Sequence, residues 1–109
     1  MSIEKTTRLN MLYDFYAVLL TDRQRELFES YYQFDLTLAE IAENLSISRQ
    51  AVYDMLRRVI SQLENYEQKL ALLSKHQMRS ELISELQTSL KAKSVDRELL
   101  TLAEKIKEL

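Results

Sequence analysis

Residues Thr37 to Arg58 read TLAEIAENLSISRQAVYDMLRR. Their spacing predicts two helices, one over 38–45 and one starting at 49, joined by a turn at Leu45-Ser46-Ile47. Each side of that turn carries its own helix-start chemistry. Thr37 with Glu40 three residues on is a capping box, in which hydroxyl and carboxylate each satisfy a backbone N–H that the first helical turn leaves unpaired. Ser48 is a second N-cap. Ile41, Ala42 and Leu45 recur on one helix face, Val52 and Leu56 on the next, and Ile47 bridges them. Small Ala42 lets the second helix cross close to the first. This is the layout of a helix-turn-helix, whose second helix can enter the major groove of DNA.

The exposed positions of that second helix are expected to be Arg49, Gln50, Tyr53, Asp54 and Arg57, with Arg58 beside them. These six are the candidate nucleic-acid or partner-binding residues. Arg can bond guanine edges or phosphates, Gln can read adenine and Tyr can bond a phosphate. Asp54 opposes this use, because a carboxylate near phosphates is repelled unless it accepts from a cytosine amino group or pairs with Arg57 or Arg58.

The composition narrows the class. Gly 0 and Pro 0 leave few residues for the sharp turns that sheets and long loops need, so an all-α chain is expected. A hydrophobic content of 46% suffices for a core. Cys 0 and a single His76 exclude disulfides, thiolate metal sites and a histidine metal cluster. A formal net charge of -2 and a pI ≈ 5.5 argue against strong nucleic-acid binding by a lone monomer, since phosphate contacts supply most of such affinity. The run Met11 to Leu20 is broken by Asp14 and too short to span a bilayer, and Met1 to Asn10 precedes no small-residue cleavage pattern. Neither membrane insertion nor secretion is therefore expected, and a cytoplasmic location is the default.

Going outward from the central stretch, residues 3 to 20 read as a first helix with Leu9, Leu12, Phe15, Tyr16 and Leu19 on its apolar stripe. Thr21 with Gln24 is another capping box, which predicts a helix over 22–33 burying Leu27, Phe28, Tyr31 and Tyr32. Tyr13, Tyr16, Tyr31 and Tyr32 could form a base-stacking platform, but their helical spacing favours packing with hydroxyls at the rim. Beyond Arg58 no stop signal is visible, and the rhythm of Val59, Ile60, Leu63, Tyr66, Leu70 and Leu73 carries the helix into the seventies. A further helix fits 76–92, with Ser74 as its cap, and a last one fits 95–108, capped by Ser94. The chain thus divides into a helix-turn-helix domain over 1–72 and a helical extension over 73–109. The amphipathic stripes of the extension need burial in a small bundle, on the first domain or, the preferred reading, in a homodimer.

No catalytic constellation is present. Without glycine there is no phosphate-cradling loop, and acid pairs such as Glu81/Glu85 and Glu64/Glu67 fit solvated helix faces. No enzyme activity and no cofactor are expected.

Two resemblances follow from the residues quoted. Thr21-Asp22-Arg23-Gln24-Arg25 through Arg58, above all Leu38-Ala39-Glu40-Ile41-Ala42-Glu43-Asn44-Leu45 and Ile47-Ser48-Arg49, resembles region 4 of bacterial sigma factors. Glu4-Lys5-Thr6, Arg8-Leu9-Asn10, Tyr13-Asp14-Phe15-Tyr16, Leu19-Leu20-Thr21, Ser48 to Asp54 and Leu63-Glu64 to Lys69-Leu70 resemble the YlxM family. These are small bacterial helix-turn-helix proteins encoded beside the signal recognition particle GTPase. Residues 71 to 109 add little to either resemblance. What the YlxM resemblance implies is a regulatory role in the signal recognition particle pathway, with the particle's GTPase, its RNA, or both as partners. The alternative is a dimeric DNA-binding transcriptional regulator, and RNA binding is a weaker third. One departure concerns the turn, where sigma-like domains usually place Gly and this chain has Ser46. A left-handed Ser costs roughly 1 to 2 kcal/mol.

Overall fold

The computed structural model describes residues 3–93 and 96–109. They form six helices: α1 (Ile3–Tyr16), α2 (Asp22–Tyr32), α3 (Leu38–Leu45), α4 (Arg49–Leu70), α5 (Leu72–Ala92) and α6 (Arg97–Glu108), with a 3₁₀ turn over Ala17–Leu19. The fold is all-α. The chain divides into two compact units, Met1–Ala71 and Leu72–Leu109.

In the first unit α4 is the axis: α1, α2 and α3 all pack on it, and α2 also touches α3. Val52, Leu56, Val59 and Leu63 form the buried stripe of α4 and meet Leu9, Leu12, Tyr13 and Tyr16 of α1, Leu27 and Phe28 of α2, and Ile41 and Ala42 of α3. Aromatic stacking tightens the seam between α1 and α2, where the Tyr13 and Phe28 rings lie 4.5 Å apart and 6° from parallel. The Tyr13 hydroxyl donates to Glu29 at 2.6 Å, and that of Tyr16 donates to Glu67 at 2.6 Å. These tyrosines therefore serve the core.

The helix starts follow the expected caps. Thr21 and Gln24 form a complete capping box before α2, Thr37 and Glu40 another before α3, and the Ser48 hydroxyl accepts from the Ala51 N–H before α4. Several boundaries differ from expectation. The first helix does not reach residue 20 as α-helix. It tightens into the 3₁₀ turn, past which Leu20 is buried while Leu19 is 48% exposed; Tyr13, still within α1, is buried as well. The Arg25 guanidinium, also paired with Asp22, donates to the Leu20 carbonyl at 3.2 Å and, at 3.2 Å, to the Ala17 carbonyl that also accepts the Leu20 N–H.

The helix from Arg49 stops at Leu70 instead of running through the seventies. Ala71 takes a left-handed conformation (φ 53, ψ 33), and its N–H bonds the Glu67 carbonyl at 2.8 Å. α5 begins at once with Leu72, so Ser74 sits within its first turn and does not cap it. α6 starts at Arg97 and not at 95, capped by Asp96, whose carboxylate accepts from the Glu98 N–H at 3.2 Å. Ser94, expected as that cap, lies outside the described residues. In the second unit α5 and α6 pack on each other, with Ile83 and Ala103 buried and Gln87 donating to Glu104 at 2.7 Å. No helix among the described residues is long and apolar enough to cross a membrane.

Candidate functional site

The turn between α3 and α4 positions the candidate site. The Ile47 N–H bonds the Ala42 carbonyl at 3.0 Å and the Ser46 N–H the Glu43 carbonyl at 3.2 Å. This pair of bonds is the Schellman arrangement, which normally takes glycine at its left-handed residue. Here that residue is Ser46 (φ 56, ψ 43). The turn keeps its usual shape, with the strain carried by a Cβ-bearing residue in the left-handed region. The bend seats Ile41 and Ala42 against Val52 and turns the opposite face of α4 outward.

All six candidate residues lie on that outward face, and all are exposed. Arg49 and Gln50 occupy the first turn, Tyr53 and Asp54 the second, and Arg57 and Arg58 the third, so the row spans about 14 Å at 1.5 Å per residue. Asp54 does not pair with either expected arginine. Its carboxylate accepts from the Gln50 side-chain amide at 3.1 Å, one turn back, which also engages Gln50 with its neighbour. Among the described residues Arg49, Arg57 and Arg58 make no ion pair. Arg57 lies 5.8 Å from the centroid of the Tyr53 ring, within cation–π range.

Tyr53 and Arg57 also form one wall of a groove of about 490 Å³. Leu56 and Ile60 line its floor, Tyr31 and Tyr32 of α2 and Leu38 of α3 face them, and Lys5 and Glu64 stand at its edge. A second hollow of about 450 Å³ shares Tyr31, Tyr32 and Leu38 and continues past Thr6, Leu36 and Thr37. On the other side of Arg57, a polar depression of about 320 Å³ is lined by Asp54, Arg58 and Ser61. Arg57 is thus the ridge between an aromatic groove and a polar hollow, whereas Arg49 and Gln50 lie beyond the lining of both.

The charges of the groove are unequal in availability. Arg8 grips Glu64 through two bonds, Nε to Oε1 at 3.1 Å and Nη2 to Oε2 at 2.8 Å, and this bidentate contact holds the Arg8 pKa above its ordinary value. The same contact ties α1 to α4 and neutralises the carboxylate at the edge of the groove. Burial, with the neighbouring Tyr31, pushes the Tyr32 phenol up to about 12, so the ring wall stays uncharged at neutral pH. What remains is an apolar trough rimmed by Arg57, which makes no ion pair among the described residues. Its chemistry suits an aliphatic or aromatic side chain flanked by a carboxylate or phosphate.

Sequence reasoning had assigned Tyr31 and Tyr32 to the buried side of α2. They are half-buried and line the groove, and Lys5 and Leu38 were missed as well. These residues come from three helices with no shared spacing. The available signal was the excess of aromatic residues at the end of α2 over what its buried pair, Leu27 and Phe28, requires.

Comparison with known proteins agrees with this architecture. Residues 3–103 match a family described as "UPF0122: Putative helix-turn-helix protein, YlxM / p13 like". The chain is 49% identical to UPF0122 protein YofM of Lactococcus lactis subsp. lactis (strain IL1403) over 109 residues, covering 100% of this chain and 96% of the relative. It is 45% identical to UPF0122 protein YlxM of Bacillus subtilis (strain 168) over 109 residues, covering 100% and 99%. Identity to UPF0122 protein BH2485 of Halalkalibacterium halodurans is 44% over 107 residues, covering 98% of each. The match continues well past residue 71, so the second unit carries family signal that its quoted residues did not reveal.

Proposed function

The chain belongs to the UPF0122 family of YlxM / p13-like helix-turn-helix proteins, and from that premise we propose that it is a non-enzymatic regulatory protein of the signal recognition particle pathway. It docks on the particle through the aromatic groove beside α4. The observation that carries this reading is the groove itself, which pairs an apolar trough with Arg57, a cation free of ion pairs among the described residues. A partner's apolar anchor enters between Tyr32 and Ile60, while a carboxylate of the particle's GTPase, or a phosphate of its RNA, meets Arg57. The YlxM resemblance, whose members are encoded beside that GTPase, supplies the partner. Charge favours a protein contact over a bare duplex, because residues 1–71 hold eleven Asp and Glu against eight Lys and Arg. Transient regulatory contacts of this kind bury less than about 1,200 Å² and work at micromolar affinity.

Titration of the purified particle GTPase, with and without its RNA, tests this. Full-length protein is expected to bind one or both forms, and Tyr53→Ala and Arg57→Glu each to weaken binding by about tenfold or more. No binding up to ~100 µM, a threshold weaker than the expected micromolar range, in either form removes the partner. Binding untouched by both substitutions removes the groove.

A second reading, DNA binding by a dimer, is favoured by Arg49, Arg57 and Arg58 along α4, which make no ion pair among the described residues. There, Arg57→Ala lowers affinity by about 1 to 3 kcal/mol if it reads a base, or reduces the salt slope by about one if it holds a phosphate. Asp54→Asn strengthens non-specific binding by removing repulsion. Filter binding across a salt series measures both.

A further inference from the structure

The second unit carries a surface that the helix-turn-helix does not use. At 100° per residue, α5 turns Ile83, Gln87 and Leu90 toward α6, and α6 turns Leu100, Ala103 and Lys107 toward α5. Leu82 and Leu86 lie about a quarter-turn from that contact face, displaced toward lower angle. Leu99, Leu102 and Ile106 are displaced in the same rotational sense on α6. The short connection makes the two helices antiparallel, and in an antiparallel pair equal senses of rotation fall on the same side. The five residues therefore share one face of the hairpin, and each is 44–59% exposed. The reverse face carries Glu81, Thr88, Arg97, Thr101, Glu104 and Glu108, all polar and exposed.

We propose that this aliphatic face is the homodimer surface of the protein, where two α5–α6 hairpins pair about a two-fold axis into a four-helix bundle.

Three observations select a second copy as the occupant. Five aliphatic side chains left about half exposed on one face form a contiguous apolar patch, and pairing two such faces buries both stripes in one core. The span 72–109 is shorter than the ~40 residues below which a unit usually needs disulfides, a metal or oligomerisation. The chain has no cysteine, and no group of His, Cys, Asp or Glu among the described residues could hold a metal, so neither of those two devices serves this unit. Finally, the stripes hold Leu and Ile without a central charge that would select a chemically different partner. Each face meets its own complement on another copy, as a two-fold interface requires.

Sedimentation equilibrium of the full chain tests the state, and single cysteines test the surface. The expected mass is twice the 12.9 kDa of the chain at micromolar concentration. Leu82→Glu combined with Leu102→Glu should halve it, while Glu81→Lys on the reverse face leaves it unchanged. Because the chain has no cysteine of its own, Leu82→Cys, Leu86→Cys and Leu102→Cys can be oxidised one at a time without disturbing the core. At least one should give a covalent dimer at a rate many times that of Glu81→Cys or Thr101→Cys. This holds even if the doubly charged variant fails to fold. A monomeric mass up to ~100 µM, where micromolar association would be nearly complete, overturns the proposal. So do covalent dimers that form equally fast at the polar positions, or a dimer whose mass the double substitution leaves unchanged.

Discussion

Single side chains account for much of what holds the first unit together. Ile41 is buried at the crossing of α3 and α4, and Ile41→Ala should cost roughly 2 to 5 kcal/mol, read as a shift in denaturant midpoint. That role was legible in the sequence, because Ile41 sits at helical spacing from Ala42 and Leu45 beside a capped helix start. Tyr13 was less legible, since its stacking on Phe28 depends on how α1 and α2 pack together, which the spacing within one helix does not give. Burial and the Glu29 hydrogen bond push the Tyr13 phenol up to about 12, as burial does for Tyr32. An unfolded tyrosine ionises near pH 10. Between these values the folded state holds protons that the unfolded state has lost, so the contribution is complete below about pH 10 and declines as pH rises toward 12. Unfolding titrations at about pH 9 and 11 should show this decline. The pair of substitutions Tyr13→Phe and Tyr32→Phe should flatten it.

At the scale of elements, the capped starts could be read directly, because a hydroxyl and an amide or carboxylate three residues apart have few better uses. The stops could not. In a chain without glycine, left-handed conformations among the described residues fall to Asp35, Ser46 and Ala71; aspartate tolerates that region, but serine and alanine announce nothing. Ser46 could be located because a helix-turn-helix demands a left-handed residue there. Ala71 had no such frame, and the continuous stripe through Leu70 and Leu73 concealed the break. Both sites make one prediction: Ser46→Gly and Ala71→Gly should each stabilise the protein by about 1 kcal/mol, as relief of left-handed strain exceeds the added freedom of glycine in the unfolded chain. Thermal unfolding measures it, and destabilisation by Ser46→Gly would show that the serine side chain contributes more than its backbone costs.

For the whole molecule, the exposure of the six candidate residues of α4 was legible from one helix's periodicity, but the groove was not. Its walls come from α1, α2, α3 and α4, and only the packed bundle brings Tyr31, Tyr32 and Leu38 opposite Tyr53 and Arg57. Assembly also redistributes the charges: Arg8 occupies Glu64, while Arg57 faces the apolar trough with no ion pair among the described residues. This redistribution carries the proposed docking on the signal recognition particle. The most direct measurement is a backbone amide chemical-shift titration of the isotope-labelled full chain with the unlabelled particle GTPase. Perturbations should concentrate on Tyr31, Tyr32, Leu38, Tyr53 and Arg57, and should vanish with Arg57→Glu while the remaining spectrum stays folded. An unperturbed spectrum at ~100 µM partner, well above a micromolar Kd, would contradict the account. Perturbations confined to residues outside the groove would contradict it as well.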